Sequence, residues 1–163
     1  MAVRPVTEED LFHVIIDTRE KQPWVFNPDK FCTGSTSKKL DTGDYSIVGY
    51  TDKIAVERKK STSEVSINIY EERFERELIR LESYDFSYLV CEFQWQDILM
   101  FPVNSKIPQK HWYKLQVRAE HLEKAFTRYM LKYKTKIIFA GKFGQKITYD
   151  IFKYFKRLQY GKL

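Results

Sequence analysis

Short apolar runs alternate with amphipathic stretches along this chain of 163 residues, and that alternation limits its fold more than any other feature. Apolar runs of about four to eight residues, bounded by polar or turn-forming residues, are typical of buried strands. The runs at residues 13–17, 88–93 and 136–140 fit this description. A β-hairpin is predicted where residues 44–49 and 54–58 flank a short turn-like segment.

Helices are predicted where apolar residues recur every three or four positions. Three stripes show this spacing: Ile67, Tyr70, Phe74, Leu78 and Leu81; Leu122, Ala125, Phe126, Tyr129 and Tyr133; and Ile147, Ile151, Phe155 and Leu158. The first stripe predicts one helix between about residues 65 and 83, and the Gly-, Ser- and Thr-rich residues 33–39 are predicted to form a polar loop. Strands interleaved with helices predict an α/β fold with a mixed central sheet.

Length and composition set the class of protein. The length fits one domain, which we predict at residues 7–160 behind a short tail of residues 1–6. Nowhere do apolar residues run long enough to cross a bilayer, and the first residues lack the apolar stretch of a signal peptide. Cys32 and Cys91 have no Cys or His partners at zinc-ligand spacing. An intracellular protein without a membrane association is expected, in the cytoplasm if the source is a prokaryote or a phage.

Charge is distributed unevenly along the chain. Residues 1–102 carry 13 Lys and Arg against 19 Asp and Glu, whereas residues 103–163 carry 15 Lys and Arg against 3 acids. So dense a basic region predicts a polyanionic partner, most often nucleic acid, although solvated helix faces can look the same. Lys132, Lys134 and Lys136 are therefore candidate DNA contacts. Lys38 and Lys39 are candidates too, with a solvated loop as the alternative.

The predicted hairpin brings acidic and basic residues together. If paired positions sum to about 102, Asp44 lies opposite Arg58 and diagonal to Glu57. Glu57 and Lys59 are two residues apart on one strand, so their side chains leave the same face of the sheet. Two carboxylates from neighbouring strands suit Mg²⁺ or Mn²⁺, and an adjacent ammonium can assist attack on a phosphate. A surface hairpin with ordinary ion pairs is the alternative.

Three short motifs occur here in a distinctive order. They are Ile-Asp-Thr-Arg-Glu at residues 16–20, Gly-Asp-Tyr at residues 43–45 and Val-Glu-Arg-Lys at residues 56–59. In order and spacing they resemble the XPF-type structure-specific nuclease domain, a restriction-endonuclease-like α/β fold. The resemblance continues through residues 74–78, the strand at 88–92 and the strand–helix pair at 136–158, and so covers nearly the whole chain.

The resemblance implies roles for individual residues. Asp44 and Glu57 match the family's metal-binding acids, which hold Mg²⁺ or Mn²⁺, and Lys59 matches its catalytic lysine. Asp17 matches the supporting acid beside the metal.

Further motif residues have less defined roles. Glu20 and Arg58 are grouped with the catalytic residues and Arg19 with the DNA contacts. For Arg58, a phosphate contact and a structural pair with Glu20 are both open. Glu92 ends a strand as Asp17 does, and packing or catalysis are both possible roles.

The chain departs from the family pattern in two places. The acid expected four residues after Lys59 is Ser63, with Glu64 beside it, and Ser63 also suits the N-cap of a helix. No helix-hairpin-helix tandem follows the nuclease motifs, although many relatives bind DNA through one. The protein is therefore expected to work as a bare catalytic domain or to be delivered to DNA by a partner protein. A homodimer through the aromatic C-terminal helices is a further expectation from the resemblance.

The sequence thus predicts a Mg²⁺- or Mn²⁺-dependent DNA endonuclease selective for flaps, forks or other branched DNA. The alternative is a non-catalytic DNA-binding or pairing subunit that retains the nuclease fold. Outside these motifs, residues 111–114 interleave aromatic and basic side chains that could stack on an unpaired base. We expect Trp112 and Tyr113 to pack into the core instead.

Overall fold

The computed structural model describes residues 4–163, so the first half of the predicted tail lies outside the described residues. Within residues 4–163, six strands form one sheet. The strands are β1 (Phe12–Ile16), β2 (Cys32–Ser37), β3 (Tyr45–Ile47), β4 (Ile54–Lys59), β5 (Phe86–Cys91) and β6 (Lys136–Phe139). The α-helices are α1 (Thr62–Tyr70), α2 (Arg73–Leu81), α3 (Trp95–Leu99), α4 (Ala119–Lys132) and α5 (Gly144–Gln159).

The sheet is mixed, in the order β2-β1-β3-β4-β5-β6. β1 runs parallel to β2 and antiparallel to β3, and β3 runs antiparallel to β4. β4, β5 and β6 are parallel to one another. The carboxyl ends of β1, β4, β5 and β6 and the amino end of β3 therefore meet at one edge. The predicted α/β fold with a mixed central sheet is confirmed.

The edge strand β2 replaces the loop predicted at residues 33–39. It pairs with β1 over four positions, with a register shift next to Gly34, whose φ is +112°. Cys32 and Gly34 are buried, while Thr33 and Ser35 face solvent. The loop prediction was wrong because an edge strand with one solvated face can be built from Ser, Thr and Gly, which also dominate loops.

Two helices replace the single one predicted between residues 65 and 83. The chain breaks after α1 and restarts at Glu72, whose φ is +53°. This break resets the helical phase: Val65 faces the core in α1, while Ile67 is 60% exposed, and Phe74 and Leu78 face the core in α2. The apolar spacing crosses the break, which is why the sequence suggested one helix.

Helices cover both faces of the sheet. Side chains of β4 alternate, so that Ala55 joins one core with α1, α2 and α4, and Ile54 and Val56 join the other with α5. In α5 the buried positions include Thr148, Phe152 and Phe155, so the buried stripe is rotated from the predicted one. No helix in residues 4–163 has the length and apolar character needed to cross a membrane.

Candidate active site

A cleft of about 660 Å³ opens at the sheet edge where β1 and β4 end and β3 begins. Seven of the residues predicted for the site line it: Asp17, Arg19, Glu20, Asp44, Glu57, Arg58 and Lys59. These residues come from two motifs on the hairpin and one at the end of β1, which the topology brings to the same edge.

The hairpin register places the two candidate metal ligands side by side. β3 and β4 pair Tyr45 with Val56, a sum of 101, and Asp44, just before β3, donates from its backbone N–H to the Val56 carbonyl over 2.8 Å. The sequence predicted a sum of about 102, so the register of this pair differs from the prediction by one residue. The side chains of Asp44 and Glu57 both line the cleft. The backbone N–H of Arg58 donates to Asp44 Oδ2 over 2.8 Å and fixes that carboxylate.

Glycine is required immediately before Asp44. Gly43 has a φ of +84°, and a Cβ there would lie 3.2 Å from the carbonyl oxygen of Val56 and 3.3 Å from the Ala55 Cβ. A larger residue would push the start of β3 away from β4. The Gly-Asp dipeptide therefore brings the carboxylate close to β4.

Burial and mutual repulsion make this carboxylate pair electrostatically costly. Burial raises the pKa of Asp44 to about 6, although the hydrogen bond from the Arg58 backbone opposes the rise. Burial, followed by the negative charge of Asp44, raises the pKa of Glu57 well above its usual range. A divalent cation between the two groups would relieve both effects, and hard carboxylate oxygens are what Mg²⁺ and Mn²⁺ prefer. The donor set therefore fits the expected ion.

The remaining ligands of such an ion would have to come from elsewhere. In residues 4–163, no group of three or more His, Cys, Asp or Glu side chains is arranged to hold a metal. Mg²⁺ is commonly bound through one or two carboxylates plus waters and substrate phosphate oxygens. A two-carboxylate site is thus suited to an ion that also contacts a phosphate.

Lys59 lies in the floor of the cleft between two carboxylates. Its Nζ is 2.5 Å from Glu77 Oε2 and 3.3 Å from Glu57 Oε1, and its side chain is 2% exposed. Burial alone would lower the pKa of Lys59, but the charges of Glu57 and Glu77 outweigh burial and raise it. Lys59 therefore carries a positive charge, and sequence analysis missed Glu77 because this contact joins residues distant in the chain.

Asp17, directly after β1, joins two segments of the chain through hydrogen bonds. Its oxygens accept hydrogen bonds from the Leu40 backbone N–H over 2.7 Å, the Arg19 backbone N–H over 2.9 Å and Arg19 Nε over 2.6 Å. Burial raises the pKa of Asp17, but these hydrogen bonds outweigh it and the net effect is a lowered pKa. Arg19, predicted to contact DNA, is thus paired with Asp17, while much of its side chain remains exposed.

Glu20 lies in the cleft wall beside a lysine. Its Oε1 accepts from Lys60 Nζ over 2.7 Å and from the Gln22 backbone N–H over 3.0 Å. Burial opposes ionisation, but these hydrogen bonds lower the pKa of Glu20 overall. Glu20 is therefore an ionised carboxylate in the cleft wall, and Lys60 is its counter-ion.

Arg58 is held by protein groups on all sides. Nε and Nη2 donate to the two oxygens of Glu92 over 2.9 and 3.2 Å, and Nη1 donates to the Gln22 carbonyl over 2.6 Å. The guanidinium stacks 4.5 Å from the Trp24 ring, and Nη1 lies 3.7 Å from Glu20. These contacts favour the structural alternative, with Glu92 rather than Glu20 as the main partner.

The two residues that depart from the family pattern belong to the start of α1. The N-cap is Ser61, not Ser63 as expected, because Ser61 Oγ accepts from the Glu64 backbone N–H. Glu64 in turn accepts from the backbone N–H of Lys60, one residue before the N-cap, over 2.8 Å. Ser63 Oγ contacts Ser61 Oγ over 2.8 Å.

Not all predicted DNA contacts lie at the cleft. Lys136 starts β6 and pairs with Tyr88, three residues before the level of Lys59, so it lies toward the opposite edge of the sheet. Lys132 and Lys134 precede it, and Lys132 is bound to Glu75 over 2.7 Å. That these three lysines contact DNA stays a prediction, and their position places any such contact away from the cleft.

Other cations line the cleft that the sequence did not single out. Lys21, Arg73 and Arg80 all contribute to its walls. Lys38 and Lys39 follow β2 and are exposed. A positive rim thus borders a carboxylate floor.

The aromatic–basic stretch at residues 111–114 lies in a 3₁₀ helix spanning Gln109–Lys114. Trp112 is half-buried and donates from Nε1 to the Ile107 carbonyl over 2.9 Å. Tyr113 is 80% exposed, so the expectation that it packs into the core was wrong.

The fold and the cleft together define a class of protein: a restriction-endonuclease-like α/β domain with paired carboxylates and a lysine at one sheet edge. Residues 16–145 match the family model described as the ERCC4 domain, and the chain belongs to that family. No curated protein sequence matches the chain.

Among the solved structures that share this fold are two of the same protein. One is XPF from Aeropyrum pernix, which is 21% identical, with a TM-score of 0.58 over 90% of this chain and 64% of that one. The other is XPF from Aeropyrum pernix in complex with DNA, which is 20% identical, with a TM-score of 0.59 over 91% of this chain and 66% of that one. The chain spans just under two thirds of the length of the first structure.

Proposed function

We propose that this protein is a divalent-metal-dependent DNA endonuclease, with residues 7–160 as a single catalytic domain that hydrolyses phosphodiester bonds in branched DNA. The observation that carries the proposal is that Asp44, Glu57 and the buried Lys59 line one cleft together. Membership of the ERCC4 domain family supports it, as does the fold shared with an XPF structure in complex with DNA.

Each residue in the cleft floor has a distinct task in the proposed reaction. Asp44 and Glu57 would hold Mg²⁺ or Mn²⁺, which when bound supplies Lewis-acid polarisation of the phosphate and a more acidic water. Lys59 holds a positive charge beside these carboxylates and stabilises the charge that develops on the phosphate. Asp17 and Glu20, both ionised and hydrogen-bonded, keep the cleft walls in place.

The rim of the cleft supplies the contacts to the DNA backbone. Lys21, Arg73 and Arg80 line the walls, and Arg19 keeps an exposed side chain next to them. Such cations bind phosphates with little dependence on sequence. Selectivity for flaps or forks is the part of the proposal that rests on the family alone.

The other predicted lysines have secondary places in this proposal. Lys38 and Lys39 extend the positive surface from β2. Lys132, Lys134 and Lys136 would meet only a duplex that continues past the cleft to the opposite end of the sheet.

We further propose that α5 mediates a homodimer. An apolar groove of about 480 Å³ lies between α5 and the sheet, and exposed Tyr154 and Leu158 border it. Exposed apolar patches of this kind commonly mark protein interfaces. Leu158→Lys should convert a dimer to a monomer in light scattering at micromolar concentration, whereas a monomeric wild type would contradict the proposal. If the protein is a dimer, a partner protein would deliver the dimer to DNA.

Metal binding and cleavage test the proposed activity together. We expect Mn²⁺ to bind in a calorimetric titration of the wild type and to bind far more weakly to Asp44→Asn and Glu57→Gln. Both variants should retain DNA affinity and lose cleavage. Asp52→Asn, which changes an exposed carboxylate in the β3–β4 turn, is the matched control and should behave as wild type. DNA binding without metal-dependent cleavage by the wild type would support the non-catalytic subunit instead.

A further inference from the structure

Lys59 contacts two carboxylates that come from different elements. Glu57 lies on the same strand, and Glu77 comes from α2 and makes the shorter contact, 2.5 Å from Nζ against 3.3 Å. Building on the proposed function, we propose that Glu77 is the positioning residue for Lys59, which fixes the ammonium at the place where the scissile phosphate is bound.

The packing of α2 aims Glu77 at the end of β4. Phe74, Leu78 and Leu81 are buried in the core and set the rotation of this helix. That rotation leaves Glu77 8% exposed and directed into the cleft, where its Oε2 meets Lys59. Its Oε1 lies 3.5 Å from Arg73 Nε, so each oxygen has its own cation. Glu77 is therefore held between Lys59 and Arg73.

Glu57 cannot hold Lys59 by itself if it also binds a metal ion. Among residues 4–163, Glu57 and Glu77 are the carboxylates that hydrogen-bond Lys59 Nζ. Coordination of an ion would draw the charge of Glu57 away from the ammonium, and Glu77 would remain as its full counter-charge. An ammonium that is 2% exposed needs such a partner, since an unpaired buried charge is strongly destabilising.

The residues at the position of the expected family acid do not offer a substitute. Ser63 Oγ contacts Ser61 Oγ, and the Glu64 carboxylate accepts from the Lys60 backbone N–H just before α1. The carboxylate that contacts the lysine comes instead from α2, 18 residues further along the chain than Lys59.

A double-mutant cycle in turnover separates positioning from a general structural role. Glu77→Gln should lower single-turnover cleavage by about 10-fold or more while DNA affinity stays within about 2-fold of wild type. In a Lys59→Met background, the same change should lower cleavage no further, because Glu77 acts only through Lys59. Glu75→Gln, which removes an ion-paired carboxylate on the same helix outside the cleft, should retain wild-type turnover. An equal loss from Glu77→Gln in both backgrounds would overturn the proposal.

The same cycle in thermal denaturation, with chelator present, provides a readout that needs neither metal nor DNA. Glu77→Gln should lower the midpoint in the wild type, because Lys59 loses its closest counter-charge. In the Lys59→Met background it should change the midpoint much less, because the contact to Lys59 is already gone and Glu77 keeps only its longer contact to Arg73. An identical shift in both backgrounds would show that the two residues are not coupled. If the wild type cleaves no DNA, the proposed function fails, while this cycle still decides whether Glu77 holds Lys59.

Discussion

Arg58 allows the clearest separation of a structural role from a DNA-binding role. Its guanidinium makes two hydrogen bonds to Glu92, one to the Gln22 carbonyl and a stacking contact with Trp24. Arg58→Lys keeps the charge but offers a single ammonium, which cannot reproduce this planar set of donors. The change therefore tests the geometry of the contacts without altering the net charge of the protein.

The expected loss follows from the contacts that lysine cannot make. A hydrogen bond to a charged group contributes about 1.5–3 kcal/mol, and cation–π stacking adds about 0.5–1 kcal/mol. Lysine should keep one contact to Glu92, and the site is largely shielded because the Arg58 side chain is 10% exposed. We therefore expect a loss of about 2–4 kcal/mol in the free energy of unfolding, or roughly 5–15 °C in the midpoint for a domain of this size.

Urea denaturation with chelator present, followed by tryptophan fluorescence, measures this loss directly because Trp24 lies against the guanidinium. Arg128→Lys, at an exposed position on α4, should change the free energy of unfolding by less than about 0.5 kcal/mol. The reasoning is refuted if Arg58→Lys unfolds like the wild type but binds DNA several-fold more weakly. That result would assign Arg58 to a phosphate.

Charges around the cleft affect stability and DNA binding in predictable directions. Without metal, the urea midpoint should rise as pH falls from 7 to about 5. Folding raises the pKa of Asp44 to about 6 and also raises the pKa of Glu57. The folded state therefore binds more protons than the unfolded state over this range and gains stability. A steady fall over that range contradicts this. Below about pH 4 the midpoint should drop as Asp17 becomes protonated, because folding lowers the pKa of Asp17. Asp17→Asn should make this drop smaller. An unchanged drop in the variant would exclude Asp17 as its source. Arg73→Ala should reduce the salt slope of DNA binding by about one, measured by fluorescence anisotropy, and should weaken binding more than Lys134→Ala. The reverse order would place the duplex at the far end of the sheet.

The local part of the site could be predicted from the sequence. Asp44, Glu57 and Lys59 lie on one hairpin, where a short turn sets the register to within one residue of the predicted pairing. Asp17 reaches the same edge because β1 ends there, parallel to β4. Relations of this kind depend on strand alternation and turn length, which a sequence displays.

Long-range relations could not be predicted in the same way. Glu77 meets Lys59 only because α2 restarts with a new helical phase after Glu72, and no local spacing records that break. Glu92 meets Arg58 because β5 lies beside β4, a neighbour relation set by the whole sheet. The position of Lys132, Lys134 and Lys136 relative to the cleft could not be predicted for a related reason, since charge counts do not show which end of a strand faces the cleft.

Cleavage of DNA by the wild type tests the central claim most directly. Labelled flap, fork and plain duplex DNA of the same sequence would be incubated with the protein in Mg²⁺, Mn²⁺ or chelator, with Glu57→Gln in parallel. We predict cleavage of the flap and fork with either metal, much less cleavage of the duplex, and no cleavage with chelator or by the variant. Tight binding of all three DNAs with no cleavage in either metal would contradict the account.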